Sequence, residues 1–246
     1  MKKEFLKLIF IFAALFFALP ALARQPHIVG NGGIIQIENP EISQAFYGEL
    51  NGVPQLFEID VDKSFNLYVN ILIPDLSGIN TDFSAEIYKA NLPVSDTVAK
   101  LNGADFAWQK FYEPFGGDNY LKGPEFEKQA GPGKYLITVS SGFNPACHPE
   151  QSIKPCPENT GKYVLAVGKI EKFTPKEILK TILLLPKLKK DFFEKSPLTA
   201  YFNYVGLFML GFLIIIAIIV FLPIVIIKRK KNKKIPPTIE GIQQKQ

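Results

Sequence analysis

The chain has 246 residues, of which 47% are hydrophobic and 21% are charged, and its formal net charge is +5. Two apolar blocks near the ends carry much of this hydrophobicity, and about 175 residues remain between them, enough for one domain with a core. This composition excludes a polytopic transporter, a disordered chain and a multi-domain enzyme.

Residues 1–23 have the form of a secretory signal peptide. A basic start with three lysines precedes the apolar run 8–19, and Ala21-Leu22-Ala23 fits a small-x-small cleavage site. We therefore expect the mature chain to begin at Arg24. The alternative is an uncleaved membrane anchor, for which the apolar run is short.

Residues 24–173 predict an all-β, jelly-roll-like β-sandwich outside the cytoplasm. Phe57, Ile59 and Val61 alternate with polar residues, the run 65–73 repeats this period of two, and Asp62-Lys63 between them predicts a tight hairpin turn. Further strands are predicted near 42–49, 83–88, 97–101 and 106–111, and no helix is expected. The glycine-rich residues 30–33 do not fit a dinucleotide-binding loop, because no strand is expected before them and no helix after them, and they predict a flexible N-terminal stretch.

Two late segments echo each other. Gly133-Lys134-Tyr135 and Gly161-Lys162-Tyr163 each open a run in which a branched aliphatic residue and Val follow at alternate positions. Neighbouring antiparallel strands of a sandwich produce such a pattern. We therefore expect the two segments to form one hairpin with a long connection.

At these residues the chain resembles the bacterial pre-peptidase C-terminal (PPC-like) β-sandwich modules. The similar segments are the paired Gly-Lys-Tyr strands, the opening residues 48–52 and 56–59, and the central residues 65–73 and 82–88, so the resemblance covers roughly residues 45–168. It implies a small accessory module that binds or stabilises, sometimes with calcium, and is not catalytic. The whole chain also resembles uncharacterised single-pass bacterial surface proteins.

Residues 111–120 combine aromatic rings, two carboxylates and a Gly-Gly pair. As a recognition loop, this segment would stack rings on a sugar or peptide while its carboxylates accept hydrogen bonds or coordinate calcium. The alternative is a loop folded over the end of the sandwich, with its aromatic rings filling the core. The candidate ligand-contact residues are Phe111, Tyr112, Glu113, Phe115, Asp118 and Tyr120.

Cys147 and Cys156 lie in a proline-rich loop and are the only cysteines. In an exported domain, an even number of cysteines favours a disulfide. A metal site that adds His148 is the alternative, but adjacent Cys and His suit one ion poorly and no fourth ligand is evident. We predict a disulfide, no metal site and no cofactor, although calcium remains possible without a calcium-loop motif to support it.

The sequence nominates no catalytic residues. A Ser-His triad would need His27 or His148, which lie at the predicted mature terminus and next to a cysteine. The acidic residues are scattered, and no acid–base pair suited to hydrolysis of a glycan stands out. We therefore predict that the protein is not an enzyme.

Residues 174–203 predict an amphipathic juxtamembrane helix, which we call the stalk. Thr174 and Glu177 form a capping box around Pro175, and Pro186 is expected to kink or divide the helix before Ser196-Pro197 ends it. Lysines complement its apolar stripe: Lys176, Lys180, Lys187, Lys189 and Lys190. The apolar stripe could dock on the sandwich, lie on the membrane surface or bind a partner helix.

Residues 204–227 predict a transmembrane helix, and residues 228–246 form a basic cytoplasmic tail. The tail has seven basic residues and one acidic residue, so the positive-inside rule places it in the cytoplasm. Residues 24–173 hold 12 basic and 18 acidic residues. The basic net charge therefore indicates topology, and we do not expect nucleic-acid binding.

Together these features predict a type I single-pass protein of the bacterial cell membrane, with its N-terminal domain outside. The expected role is binding or scaffolding without catalysis, with an envelope glycan or peptide, or a membrane protein, as the partner besides the lipid bilayer. The alternative is an accessory subunit of a larger membrane enzyme or transporter.

Overall fold

The computed structural model describes residues 24–30, 32–91, 94–142 and 159–232. The predicted signal peptide, the cysteine loop with Cys147 and Cys156, and residues 233–246 lie outside the described residues.

Eleven strands in the described residues form two sheets that face each other, as the all-β, jelly-roll-like prediction requires. The six-stranded sheet has the order β1-β3-β11-β5-β9-β8 and the five-stranded sheet the order β2-β4-β10-β6-β7. The first sheet contains β1 Gln25–Ile28, β3 Gln44–Asn51, β5 Phe65–Pro74, β8 Gln109–Glu113, β9 Asp118–Ala130 and β11 Thr160–Val167. The second contains β2 Ile34–Gln36, β4 Gln55–Val61, β6 Phe83–Asn91, β7 Val94–Leu101 and β10 Gly133–Ser141.

The main core lies between the sheets and follows the period-two alternation of the sequence. Phe57 and Ile59 of β4 are fully buried, and their neighbours Glu58 and Asp60 point outward. In β5 the inward set Phe65, Leu67, Val69, Ile71 and Ile73 is buried as predicted. Large aliphatic and aromatic side chains removed from water on one face are what hold two sheets together.

Two predicted hairpins are wrong, because the chain changes sheets at those points. Asp62 and Lys63 connect β4 of one sheet to β5 of the other, so they form a crossover between the layers. The echoing strands β10 and β11 also lie in different sheets: β10 pairs with β4 and β6, and β11 pairs with β3 and β5. Their sequence patterns are similar because each strand buries one face in the same core.

The expectation that no strand precedes the glycine-rich residues 30–33 is wrong. β1 and β2 flank the glycine-rich residues, and they extend the two sheets by pairing in parallel with β3 and β4.

Residues 111–120 are the closed end of a hairpin between β8 and β9, with Glu113 opposite Asp118. The prediction of a loop at 111–120 is therefore wrong.

The stalk begins as the sequence predicts. Helix α1, Pro175–Lys187, has Thr174 as its N-cap, and both hydrogen bonds of the capping box with Glu177 are present. Pro186 does not divide the stalk, because it lies in the last turn of α1 and the chain continues directly into a π-helical turn, Leu188–Phe192. The helical path ends at Glu194, whose φ is 56°, and a 3₁₀ turn follows at Pro197–Tyr201.

Helix α2, Tyr204–Asn232, follows the 3₁₀ turn. Its segment Met209–Arg229 has 21 residues and is long and apolar enough to cross a membrane. A helix of this length spans about 32 Å, against about 30 Å for the hydrocarbon core of a bilayer.

Candidate functional site

The outer face of the six-stranded sheet carries a second apolar cluster, which the stalk covers. Strands β3, β5, β9 and β11 contribute the sheet side of this cluster, and α1 and the π-helical turn contribute the other side. The buried members are Ala45, Leu72, Tyr120, Val164, Ala166, Leu188, Phe192 and Phe193. The stalk is therefore docked on the sandwich, one of the three arrangements that its sequence permits.

Aromatic rings fix the angle at which the stalk meets the sheet. Phe192 and Phe193 each approach Tyr47 edge-on, and Phe193 approaches Tyr120 edge-on at 5.2 Å between ring centres. The Tyr47 and Tyr120 hydroxyls lie 2.9 Å apart and share a hydrogen bond. Edge-to-face pairs are more directional than aliphatic contacts, so they favour one docked geometry.

A lysine–aspartate pair lies buried at the edge of this cluster. Lys189 is only 1% exposed, and its Nζ lies 2.7 Å from Oδ2 of the equally enclosed Asp118. Lys195 reaches the other carboxylate oxygen at 2.9 Å. A lysine is almost never fully buried without a partner, and here the first residue of β9 supplies it.

The stalk binds the backbone of residues 114–117, the turn between β8 and β9, which we call the hairpin tip. The Gly116 carbonyl accepts hydrogen bonds from Lys189 Nζ and Asn203 Nδ2, each at 2.6 Å. Gly117 has a φ of 72°, and a Cβ there would lie 2.9 Å from the Cβ of Asn203. Glycine is therefore needed for the turn and for the close approach of Asn203.

Glu113 holds the hairpin tip from inside. Its two carboxylate oxygens accept the N–H groups of Phe115 and Gly116 at 2.7 Å each, and its carbonyl accepts the N–H of Gly117. Burial raises the pKa of Glu113, although these two N–H groups oppose the rise. Burial also lowers the pKa of Lys189, against the opposing effect of Asp118. We call the contacts of Lys189, Lys195 and Asn203 with Asp118 and the hairpin tip the clamp.

A small cavity lies between the hairpin, the N-terminal strand and α1. Its volume is about 50 Å³, and Arg24, Tyr47, Glu113 and Thr181 are among its lining residues. A water needs about 10–15 Å³ on this measure, and ligand pockets generally exceed about 300 Å³. The cavity therefore has room for a few waters and not for a sugar ring.

The six candidate contact residues divide between exposed and enclosed positions. Tyr112 is 57% exposed, whereas Asp118 and Tyr120 are buried. Phe111, Glu113 and Phe115 are half-buried against the stalk side, where Phe115 stacks on Phe173. The structure thus brings five of the six toward the stalk, and Tyr112 is the one presented to solvent.

The sequence interpretation missed the residues that bind this hairpin. The sequence analysis places Lys189 among the lysines that complement the apolar stripe, whereas the structure shows that it is the buried partner of Asp118. Asn203 lies just before α2 and carried no motif. The sequence signal for burial of Lys189 is its position within the apolar stripe, next to Leu188 and shortly before Phe192-Phe193.

The sequence also raises a metal site and a catalytic site built on His27 or His148. In those residues no group of three or more His, Cys, Asp or Glu side chains is placed to hold a metal ion. His27 lies on β1 and stacks on Phe46 at 4.9 Å, and burial with the nearby Lys180 lowers its pKa to about 4. Cys147, His148 and Cys156 lie outside the described residues.

The fold and the clamp define a two-sheet β-sandwich with a docked helical stalk, followed by one apolar helix. No protein-family model matches the chain, and no curated protein matches it. Among solved structures, the pre-peptidase C-terminal domain of a Bacillus anthracis collagenase matches with a TM-score of 0.32 and 14% identity. The match covers 56% of this chain and 96% of that domain, which is the kind of module that the strand motifs resemble.

Two further solved structures are similar at a lower level. A surface-associated copper-binding protein important in copper acquisition by Methylomicrobium album BG8 matches with a TM-score of 0.27 and 8% identity, over 58% of this chain and all of that one. A β-glucosidase from Paenibacillus barengoltzii matches with a TM-score of 0.21 and 7% identity, over 60% of this chain and 13% of the enzyme. Likenesses this distant carry no argument about ligand or activity.

Proposed function

We propose that the protein is a membrane-anchored, extracytoplasmic binding or scaffolding protein without catalytic activity. In this proposal the stalk, which is fixed to the sandwich, connects the sandwich to a membrane-spanning α2. The observation that carries it is the clamp, in which the buried Lys189 binds Asp118 and the Gly116 carbonyl. A domain that searches for ligands on a flexible tether has no need of such a clamp.

The position of Asn203 supports the second part of this proposal. Asn203 donates to the hairpin tip and is followed at once by Tyr204, the first residue of α2. The hairpin tip therefore lies close to the start of the apolar helix.

The proposed topology rests on the flanks of α2. Residues 228–246 are strongly basic and the stretch before α2 is aromatic, which favours a cytoplasmic tail and an N-terminal domain outside. A cleaved signal peptide at 1–23 and a Cys147–Cys156 disulfide complete the proposal for a bacterial cell-envelope protein.

Tyr112 is the member of the predicted contact segment that best suits a partner. Its exposed ring lies on β8, at the edge of the six-stranded sheet, where a peptide or sugar could stack. The other five candidate residues face the stalk, so they would support Tyr112 and would not contact the partner directly: Phe111, Glu113, Phe115, Asp118 and Tyr120.

A second candidate role is that of an accessory subunit of a larger membrane enzyme or transporter. The exposed apolar surface of α2 favours it, because a membrane helix can pack against the helices of another subunit.

Purification of the full-length protein from its native membrane in mild detergent, with mass spectrometry of what accompanies it, tests both roles. Loss of a partner on Tyr112→Ala, at unchanged stability, supports recognition by the sandwich. Loss of the partner only when α2 is replaced by an unrelated span supports the subunit role. Turnover of an envelope glycan that disappears on a single carboxylate substitution would overturn the non-catalytic assignment.

A further inference from the structure

Helix α1 has one side buried against the sandwich and one side exposed. Thr181 and Leu185 are buried against the sandwich, whereas Leu179 and Leu183 are 58% and 70% exposed. Leu179 and Leu183 are four residues apart, so they lie on one side of the helix, one turn above the other. The docked stalk thus leaves a second apolar stripe uncovered within the described residues.

Lysines share this uncovered side. At 100° per residue, Lys176, Lys180 and Lys187 fall within about 100° of the two exposed leucines. All three lysines are exposed. Glu177, the acidic residue of the first turn, is engaged in the capping box. An apolar stripe bordered by lysines is the pattern of a helix that lies in the interface of an anionic bilayer.

The 3₁₀ turn continues the apolar surface toward α2. It packs against α1, and it exposes Leu198 together with the adjoining Phe202, which is 85% exposed. Phe202 is two residues before the first residue of α2. Phe and Leu are residues that interfacial segments bury at the boundary between headgroups and acyl chains.

We propose that the outer side of the stalk, formed by Leu179, Leu183, Lys176, Lys180 and Lys187, binds an anionic lipid surface. The proposal rests on the proposed membrane anchoring and names a further partner for the same chain. Two observations favour lipid over a protein partner: the stripe has a border of positive charge, and the chain runs from it into the apolar helix through Phe202. The stalk then lies between the sandwich on one side and the bilayer on the other.

A single added tryptophan can report whether this side contacts lipid. Trp108 is the only native tryptophan, so Leu183→Trp adds one indole to a known background. The full-length variant is placed in nanodiscs of phosphatidylglycerol with and without brominated acyl chains, which quench indoles that reach the acyl boundary. We expect a roughly twofold loss of the added emission, because an interfacial helix buries its apolar side about 5–10 Å into that boundary.

Lys63→Trp is the matched control. Lys63 precedes β5, whose opposite end, at Pro74, pairs with Tyr120 beside the hairpin tip. At 3.3 Å per residue the two ends of β5 lie about 30 Å apart, so Lys63 is far from the stalk end of the domain. Its indole should keep its emission in brominated lipid.

Lipid charge is tested by repeating the Leu183→Trp measurement in phosphatidylcholine nanodiscs and with Lys176, Lys180 and Lys187 all changed to Gln. We expect weaker quenching in phosphatidylcholine, and no difference between the two lipids once the lysines are gone. Equal quenching in both lipids with the lysines present would overturn the role of lipid charge. A protein that stays in the membrane under alkaline carbonate but shows no quenching overturns the lipid contact alone, whereas release by carbonate overturns the anchoring itself.

Discussion

Lys189 and Asp118 form a buried ion pair across 71 positions of sequence, with 2.7 Å between Nζ and Oδ2. Asp118 opens β9 and is held from its other oxygen by Lys195. Lys189 lies in the π-helical turn, and the same ammonium group donates to the Gly116 carbonyl. The pair therefore joins the stalk to both the strand and the turn of one hairpin.

Removal of the lysine should destabilise the protein strongly. Lys189→Met leaves Asp118 buried with Lys195 as its remaining partner, and breaking a buried pair in this way costs about 3 kcal/mol. Lys190→Met is the matched control, because Lys190 is exposed and its loss should change the free energy of unfolding by less than about 0.5 kcal/mol. Denaturant unfolding of the full-length protein in detergent measures both.

A double-mutant cycle separates the pair from simple packing. The double variant with Lys189→Met and Asp118→Asn should be destabilised by much less than the sum of the two single changes, because the carboxylate that has lost its buried partner is then no longer charged. Strictly additive costs would show that the two residues do not depend on each other, contrary to the geometry.

The stability of the fold should fall as the pH drops toward 4, in part through His27. Its pKa is lowered to about 4 by burial and by Lys180, against 6.5 for a free histidine. Between these values the unfolded chain binds a proton that the folded chain does not, so stability is lost as the pH falls through this window.

His27→Phe isolates this contribution. The substitution keeps a ring stacked on Phe46 but removes the titrating group. The difference between the melting temperatures at pH 7.5 and pH 4.5 should be smaller for the variant than for the parent protein, while other acidic groups contribute equally to both. An identical drop in the melting temperature of both proteins would show that His27 does not contribute to the pH dependence of stability.

The capping box should contribute measurably to the stalk. Thr174→Ala removes the hydroxyl that accepts the N–H of Glu177, and such a loss costs about 1 kcal/mol. Thr174→Ser keeps the hydroxyl and should be nearly neutral. Thermal unfolding of the two variants provides the comparison, and equal melting temperatures would mean that the cap does not stabilise the docked helix.

Gly48 should tolerate no larger residue. It lies opposite Tyr163 in the β3–β11 pair, and a Cβ at this position would lie 2.5 Å from the tyrosine ring. Gly48→Ala should therefore lower the free energy of unfolding by about 2 kcal/mol through overpacking. Gly131→Ala, where the nearest atom is the flexible end of Lys89 at 3.7 Å, should have a much smaller effect in the same denaturant titration.

Local patterns in the sequence determined several elements of this protein. The alternation in residues 57–61 and 65–73 predicted β4 and β5, the capping box at Thr174 predicted the start of α1, and the apolar run after Tyr204 predicted α2. Each of these signals lies within one turn or one strand, because side-chain period and end capping are properties of neighbouring residues.

The pairing of strands and the burial of Lys189 were decided by tertiary structure. Alternation with a period of two shows that one face of a strand is buried, but it does not show to which sheet the strand belongs. β10 and β11 bury their apolar faces in one core, although they lie in opposite sheets. In sequence Lys189 resembles Lys190, its exposed neighbour. Asp118, from a strand that begins 71 residues earlier, and the Gly116 carbonyl offset the cost of burying the Lys189 ammonium group, since a buried charge needs partners that local sequence does not supply.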